Sequence, residues 1–220
     1  FTNGGSRCYI KRVVPADAAF AHNVEDDETA PLVVYAKNPG AWGNKITLTV
    51  TPASKAKTQI LEMIQTSNEV KFRMKNAGGF SDGDIVVFDD QTEKKYNRVT
   101  SVDGNVLTFA EAFDESAVDM GLIPKKVLST CEVNIEVKCE AIIEKYENCS
   151  FNIESSDFIN QKMAKSELVV ADAKASDEII SPFKLISGND EGEFLISLFG
   201  GTNGTLGSLS SVDFVGEDDG

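Results

Sequence analysis

Val70-Lys71-Phe72-Arg73-Met74-Lys75, then the loop Gly78-Gly79-Phe80-Ser81-Asp82-Gly83-Asp84, then Ile85-Val86-Val87-Phe88: this run decides the fold class. Apolar and charged residues alternate at period two, the pattern of a strand with one buried and one wet face. A glycine-rich loop follows, and then a second short apolar run. Downstream, Asp89-Asp90-Gln91-Thr92 turns the chain into Lys95 to Val102. Asp103-Gly104 is turn chemistry favoured in tight hairpins, and Val106-Leu107-Thr108-Phe109 returns. Short strands at short intervals predict a small antiparallel β-module, barrel-like, over about residues 68–127.

The rest of the chain repeats this grammar more loosely. Upstream, Cys8 to Val14 reads as a strand stopped by Pro15, Asp17 to His22 as a short helical turn, and Leu32 to Tyr35 as a short apolar strand. Asn38-Pro39-Gly40 is turn chemistry. A strand follows, with Ile46, Leu48 and Val50 alternating against Thr47, Thr49 and Thr51. Downstream, Cys131 to Tyr146 reads as a long strand or bent hairpin. Its alternate residues Cys131, Val133, Ile135, Val137 and Cys139 share one face. Ser155-Ser156-Asp157 is placed to cap a short helix through Asn160 to Lys165. Leu168 to Val170 is a further strand, residues 172–181 a polar loop, and Phe194 to Phe199 the last apolar run. The expected class is α+β, rich in mostly antiparallel strands.

Composition narrows the function. The 220 residues are 41% hydrophobic, enough to build a core. The longest apolar run is strand-sized, far short of the roughly 18–20 residues of a membrane helix. A net charge of −14, from 35 acidic against 21 basic residues, repels phosphate backbones and anionic membranes. Neither nucleic acid nor membrane is an expected partner. Like-charged copies associate only where opposite charges meet locally or apolar area dominates. Arg7, Lys11 and Arg12 beside Glu25-Asp26-Asp27-Glu28 offer such a match. Cys8, Cys131, Cys139 and Cys149 form no CxxC, and the lone His22 has no companion at ligand spacing. No metal site is predicted, and reduced, buried thiols are the expectation. The chain opens on Phe1 and stops at Asp218-Asp219-Gly220, and both ends read as cut ends of a longer protein.

The motifs that invite chemistry fall short of it. Gly200 to Gly207 lacks the Lys of a Walker loop, and Ser208-Leu209-Ser210-Ser211 opens no helix for a dinucleotide fingerprint. It reads as a surface turn. Neighbouring carboxylates, Asp89-Asp90 and Asp218-Asp219, point apart on a turn and do not face each other across a cleft. Asp82-Gly83-Asp84 and Asp89-Asp90 offer Ca²⁺ a loose hold at most, because the spaced oxygens of an EF-hand loop are absent. His22 has no nucleophile elbow to serve and reads as an exposed surface residue. Asn148-Cys149-Ser150 and Asn203-Gly204-Thr205 match glycosylation sequons, patterns that arise often by chance. Trp42 is expected to plug a core edge, with an interface role as the sharper alternative. No catalytic, cofactor-binding or metal residue is assigned.

Four segments, taken in order, carry a family likeness. Phe1-Thr2-Asn3-Gly4-Gly5-Ser6-Arg7-Cys8-Tyr9-Ile10-Lys11-Arg12-Val13 resembles the F-x-N-G-G-x-x-C/A-Y-v-x-R-V segment of contractile tail-sheath proteins. Ala36-Lys37-Asn38-Pro39-Gly40-Ala41-Trp42-Gly43-Asn44-Lys45-Ile46 resembles their A-x-x-P-G-x-W-G-N-x-(I/L) segment. Tyr146-Glu147-Asn148-Cys149-Ser150, opened by Glu144, and Ser166-Glu167-Leu168-Val169 are similar to E-x-(F/Y)-E-N-L-S followed by S-x-L-V. Gly200-Gly201-Thr202-Asn203-Gly204 looks like their G-G-T-D-G turn. The motifs reach both ends but cover about a third of the chain, and none falls in 68–127. Set against such proteins, the chain is expected to be an internal piece, without the later core sequence and both terminal arms.

The resemblance implies a subunit without catalytic residues or cofactors. Its partners would be other sheath subunits, stacked in rings or a helix, and an inner tube that contraction drives through a target envelope. Residues 1–35 and 195–220 would flank a core domain, and 36–194 would be a large inserted outer domain. Its place would be the virion tail sheath or a phage-tail-like particle, assembled in the bacterial cytoplasm. The alternatives are a secreted or surface β-rich adhesin or carbohydrate-binding module, and a tail-associated hydrolase. Paired cysteines would favour secretion, and carboxylates clustered in a deep groove would revive the hydrolase.

Overall fold

The structure is a computed structural model that describes residues 13–25, 30–65, 70–89, 94–111, 127–174 and 176–209. The Cys8–Val14 strand, all but its last two residues, lies outside the described residues. So do Arg7, Lys11, Arg12, Asp26 to Glu28, Asp90 to Thr92, Asp218-Asp219 and the first family-like segment up to Arg12.

Of the described residues, 48% are in strands and 11% in helices, so the helical part of the expected α+β class is minor. Twelve strands are described: β1 Leu32–Ala36, β2 Ile46–Ala53, β3 Lys57–Gln65, β4 Val70–Met74, β5 Ile85–Asp89, β6 Lys94–Asp103, β7 Val106–Phe109, β8 Val127–Thr130, β9 Glu132–Cys139, β10 Ile142–Cys149, β11 Val169–Ala173 and β12 Phe194–Ser197. Two short helices join them, α1 Ile159–Met163 and α2 Pro182–Ser187. Every ladder between these strands is antiparallel.

Two bodies with separate cores result. The first is a four-stranded sheet, β10-β9-β2-β12, packed against the two-stranded sheet β1-β11 and both helices. The predicted alternation of β2 puts Ile46, Leu48 and Val50 inward, each 0% exposed, with Thr47, Thr49 and Thr51 outward. Cys131 precedes β9 and is buried, and Val133, Ile135, Val137 and Cys139 are buried along it. Val34, Ala171, Ile159, Met163 and Phe183 close this core from the opposite side.

The second body is a closed barrel, β3-β4-β7-β6-β5-β8. Ile60, Phe72, Met74, Val86, Phe88, Val99, Leu107 and Leu128 fill it, and the Phe72 and Phe109 rings meet edge to face at 5.7 Å. The barrel is wider than the expected 68–127, because closure needs β3 as well as β8. A bulge between Ile60 and Glu62 explains why β3 hides its period. Ile60 and Met63 face inward, while Leu61 is 55% exposed. The β6–β7 hairpin pairs Asp103 with Val106, so its two-residue loop is Gly104-Asn105, one position later than Asp103-Gly104.

Three local expectations change. Asp17 to His22 is not a helical turn: Ala19 and His22 are extended and bridge to Thr202 and Phe199. The polar loop after β11 ends at α2, whose Ser181 hydroxyl accepts from Lys184 N and whose first residue is Pro182. The helix after Ser155-Ser156-Asp157 forms, but its N-cap is Phe158, with no side-chain cap, and Ser155 Oγ instead accepts from Asp157 N.

Candidate functional site

Three polar constellations organise the described residues. The first joins two of the family-like segments. The turn Asn38-Pro39-Gly40 and the 3-10 turn Ala41–Lys45 carry Asn44 to residues 200–204. Asn44 Oδ1 accepts from Gly201 N at 2.8 Å, and Asn44 Nδ2 donates to Gly201 O at 2.9 Å. Ala41 N donates to Asn203 Oδ1 at 3.1 Å. Ala19 and Thr202 exchange backbone hydrogen bonds, and Thr205 N donates to Asp17. The fit is tight: a Cβ on Gly201 would lie 2.5 Å from Gly40 O, and one on Gly43 would lie 2.7 Å from Ala36 Cβ and 2.8 Å from Ala21 Cβ. Gly201 lets backbone pack on backbone, and Gly43 lets the chain pack on two alanine methyls.

His22 belongs to this clasp and is half-buried, not an exposed surface residue. It bridges both Tyr35 and Phe199, and its ring lies 4.8 Å from that of Phe199. Nδ1 is hydrogen-bonded to Val24 O. Trp42 packs partly buried against the core edge, as its position between turn and strand predicts.

The second constellation centres on Glu144. Its carboxylate accepts from Ser166 Oγ (2.6 Å), Tyr146 Oη (2.8 Å) and Glu167 N (2.9 Å). Burial alone would raise its pKa, but these donors outweigh it and hold the carboxyl below its ordinary range. Burial, with the nearby carboxylate, pushes Tyr146 up to about 12. Ser166 Oγ also accepts from Leu168 N and Val169 N, so the serine starts β11. The two halves of the third family-like segment are thus tied to each other. Asn148-Cys149-Ser150 is a poor glycan acceptor in this setting, because Cys149 is 0% and Ser150 4% exposed.

The third is the neck between the two bodies. Thr130 N donates to Ala56 O at 2.9 Å, and Ala56 N to Thr130 Oγ1 at 3.0 Å. Lys55 Nζ lies 3.4 Å from Asp84 Oδ2 and 3.7 Å from Glu132 Oε1, with the two carboxylate side chains 2% and 1% exposed. Glu132 also accepts from Thr130 Oγ1 and Lys55 N, both at 2.8 Å. Burial still pushes its pKa up. Asp84 takes Ser81 N and Asn152 Nδ2, so its neighbourhood holds protein donors rather than a cation loop.

Two clefts of about 310 Å³ flank the neck. Lys94, Tyr96, Cys131, Glu132, Phe183 and Asp190 are among the residues lining one, and Arg98, Phe151, Asn152, Glu178 and Pro182 among those lining the other. Their polar groups are paired with each other: Tyr96 Oη donates to Asp190 at 2.8 Å, and Arg98 Nη2 to Ser176 O at 2.8 Å. Among the described residues no three His, Cys, Asp or Glu side chains gather as a metal site, and no helix is long and apolar enough to cross a membrane. Cys131, Cys139 and Cys149 are unpaired and buried; burial raises all three thiols, Cys149 to about 11.

In the sequence Asn44, Gly201, Glu144 and Ser166 are visible as members of motifs, not as contacts. Lys55 and Glu132 read there as ordinary charges and carry no spacing signal. No protein-family model, curated protein or solved structure matches this chain.

Proposed function

We propose that this chain is part of a structural subunit of a contractile tail sheath, which polymerises around an inner tube and contracts to drive it through a target envelope. The observation that carries this reading is the use to which the family-like residues are put. Asn44 holds Gly201 by two hydrogen bonds, and Glu144 holds Ser166 and Glu167. These motifs fix backbone against backbone, as a load-carrying part needs, and present no group to a substrate.

Under this reading the work is stored between subunits, in two packings of different free energy. The partners are copies of the subunit and the inner tube, and no residue is assigned a catalytic, metal or cofactor role. Residues 15–22 and 199–205 lie side by side, which suits a body that leaves and rejoins a larger domain at one place. Residues 1–35 and 195–220 are then the flanks and 36–194 the outer insertion. The boundaries fall in β1 and at β12, which share the core of the inserted body. The location that follows is a virion tail sheath or phage-tail-like particle assembled in the bacterial cytoplasm. The secreted adhesin alternative is disfavoured by three buried thiols without disulfides.

The test is electron microscopy of the full-length gene product under assembly conditions. Helical tubes or stacked rings are the expected result. Particles that stay monomeric through changes of salt and concentration would overturn the proposal.

A further inference from the structure

Among the described residues the barrel and the first body, a sandwich of the four- and two-stranded sheets, share no core residue. The described chain crosses between them twice, through Ser54–Ala56 and through Cys131, and these crossings are hydrogen-bonded to each other and to β5. Lys55, seated between Asp84 of the barrel and Glu132 of the sandwich, stiffens this pivot from inside. Away from the pivot, the attachment has a different character. Lys94, Tyr96 and Arg98, every second residue of β6, present one face to the sandwich. Lys94 pairs with Glu191, Tyr96 with Asp190, and Arg98 with the carbonyl of Ser176. Lys184 of α2 reinforces the set, 3.1 Å from Asp190 and 5.9 Å from the centre of the Tyr96 ring. Asn152 adds a polar contact to Asp82 O.

These contacts are polar and partly wet. Lys94 is 27% exposed and its partner Glu191 76%. Clefts of about 310 Å³ open on this side of the barrel. An apolar seam of the same extent would hold regardless of salt; here the one ion pair of the three β6 contacts, Lys94–Glu191, is weak and screened at this exposure, and the other two are hydrogen bonds open to competition from water.

We propose that the barrel is a hinged module: the neck at Ser54–Ala56 and Thr130–Glu132 is the pivot, and the β6 face is an electrostatic latch that holds the barrel against the sandwich. Releasing the latch lets the barrel turn as a rigid body while both cores stay intact. This inference stands apart from the tail-sheath reading and survives its failure.

Pulsed electron–electron distance measurement tests it. Spin labels go on Asp103→Cys, at the end of β6, and Lys165→Cys, beyond α1, both exposed, in a Cys8→Ser background. The unaltered latch at low salt should give one narrow distance. Lys94→Ala/Tyr96→Phe/Arg98→Ala should add a second population, enriched up to roughly fivefold by loss of the Lys94–Glu191 pair and further by loss of the two hydrogen bonds. One molar salt should move the unaltered latch in the same direction. Arg73→Ala, which breaks an ion pair within the barrel wall, should change nothing. If the triple variant does not fold, the salt series on the unaltered latch decides. One distance, unmoved by salt and by the folded variant, would overturn the hinge.

Discussion

Gly201→Ala is the sharpest test of the clasp. The new Cβ would lie 2.5 Å from Gly40 O and 3.0 Å from both Ala21 Cβ and Asn44 Oδ1. The nearest of these is backbone, and it cannot swing aside. Gly40 is itself held, donating to Ala19 O at 3.0 Å and accepting from Gly43 N at 3.1 Å. Relief therefore requires the 36–45 turn and the 200–204 turn to part. Overpacking of this kind costs about 1–3 kcal/mol. Parting also weakens the two Asn44–Gly201 hydrogen bonds, at about 1 kcal/mol each. The sum is about 3–5 kcal/mol, and at about 2–4 °C per kcal/mol for a chain of this size Tm should fall by roughly 6–20 °C. Gly207→Ala is the internal control. It lies in the same glycine-rich stretch, but nothing stands within 4 Å of its added Cβ. It should stay within about 0.5 kcal/mol of the parent. The assay is thermal and urea unfolding followed by far-ultraviolet circular dichroism. A Gly201→Ala shift below about 2 °C, or equal shifts for the two variants, would refute the close-packing account of these glycines.

The other predictions concern charge and thiols. Lys55→Met should destabilise the fold by about 3 kcal/mol, because it strands Asp84 and Glu132 in a buried site, and the loss should shrink in acid as Glu132 takes up a proton; urea unfolding between pH 4 and 8 checks both. Glu144 has a folded pKa below its unfolded value, so its contribution is complete above the unfolded pKa of about 4.3 and is lost as pH falls through the folded one. The deficit of Glu144→Gln against the parent should therefore be largest near neutral pH and vanish in strong acid; a deficit independent of pH would sink the assignment. In a Cys8→Ser background, Cys131, Cys139 and Cys149 should resist a thiol reagent in the native state and titrate fully in denaturant without reductant. A shortfall in denaturant would mean a disulfide.

The antiparallel class and most strands were legible because their inward and outward faces differ chemically. Ile46, Leu48 and Val50 against three threonines left no other reading, and the same held for Val70 to Lys75. β3 was illegible for a local reason, the bulge that turns Ile60 and Met63 inward and leaves Leu61 in solvent. α2 carried its signal in Ser181-Pro182, a capping hydroxyl followed by a pre-set first residue, but at six residues it has too little period to be seen. The extended path of Asp17 to His22 was invisible for a different reason. Its partners Phe199 and Thr202 stand about 180 residues away, and no local pattern announces a pairing at that separation.

The same distinction governs the candidate sites. A glycine required by close approach looks in sequence like a glycine required by a turn or by a phosphate, and only the neighbour that a Cβ would strike separates the three. For Gly201 that neighbour is the backbone carbonyl of Gly40, far earlier in the chain. Lys55 and Glu132 pose the converse case. Each reads as an ordinary surface charge until the two chain crossings are brought together, and only then does burial make them costly to separate. Residues that hold one part of a chain to another are specified by pairs, so a single sequence displays one half of each constraint at a time. Asn44 with Gly201 and Glu144 with Ser166 are such pairs, and this is why their motifs were visible while their purpose was not.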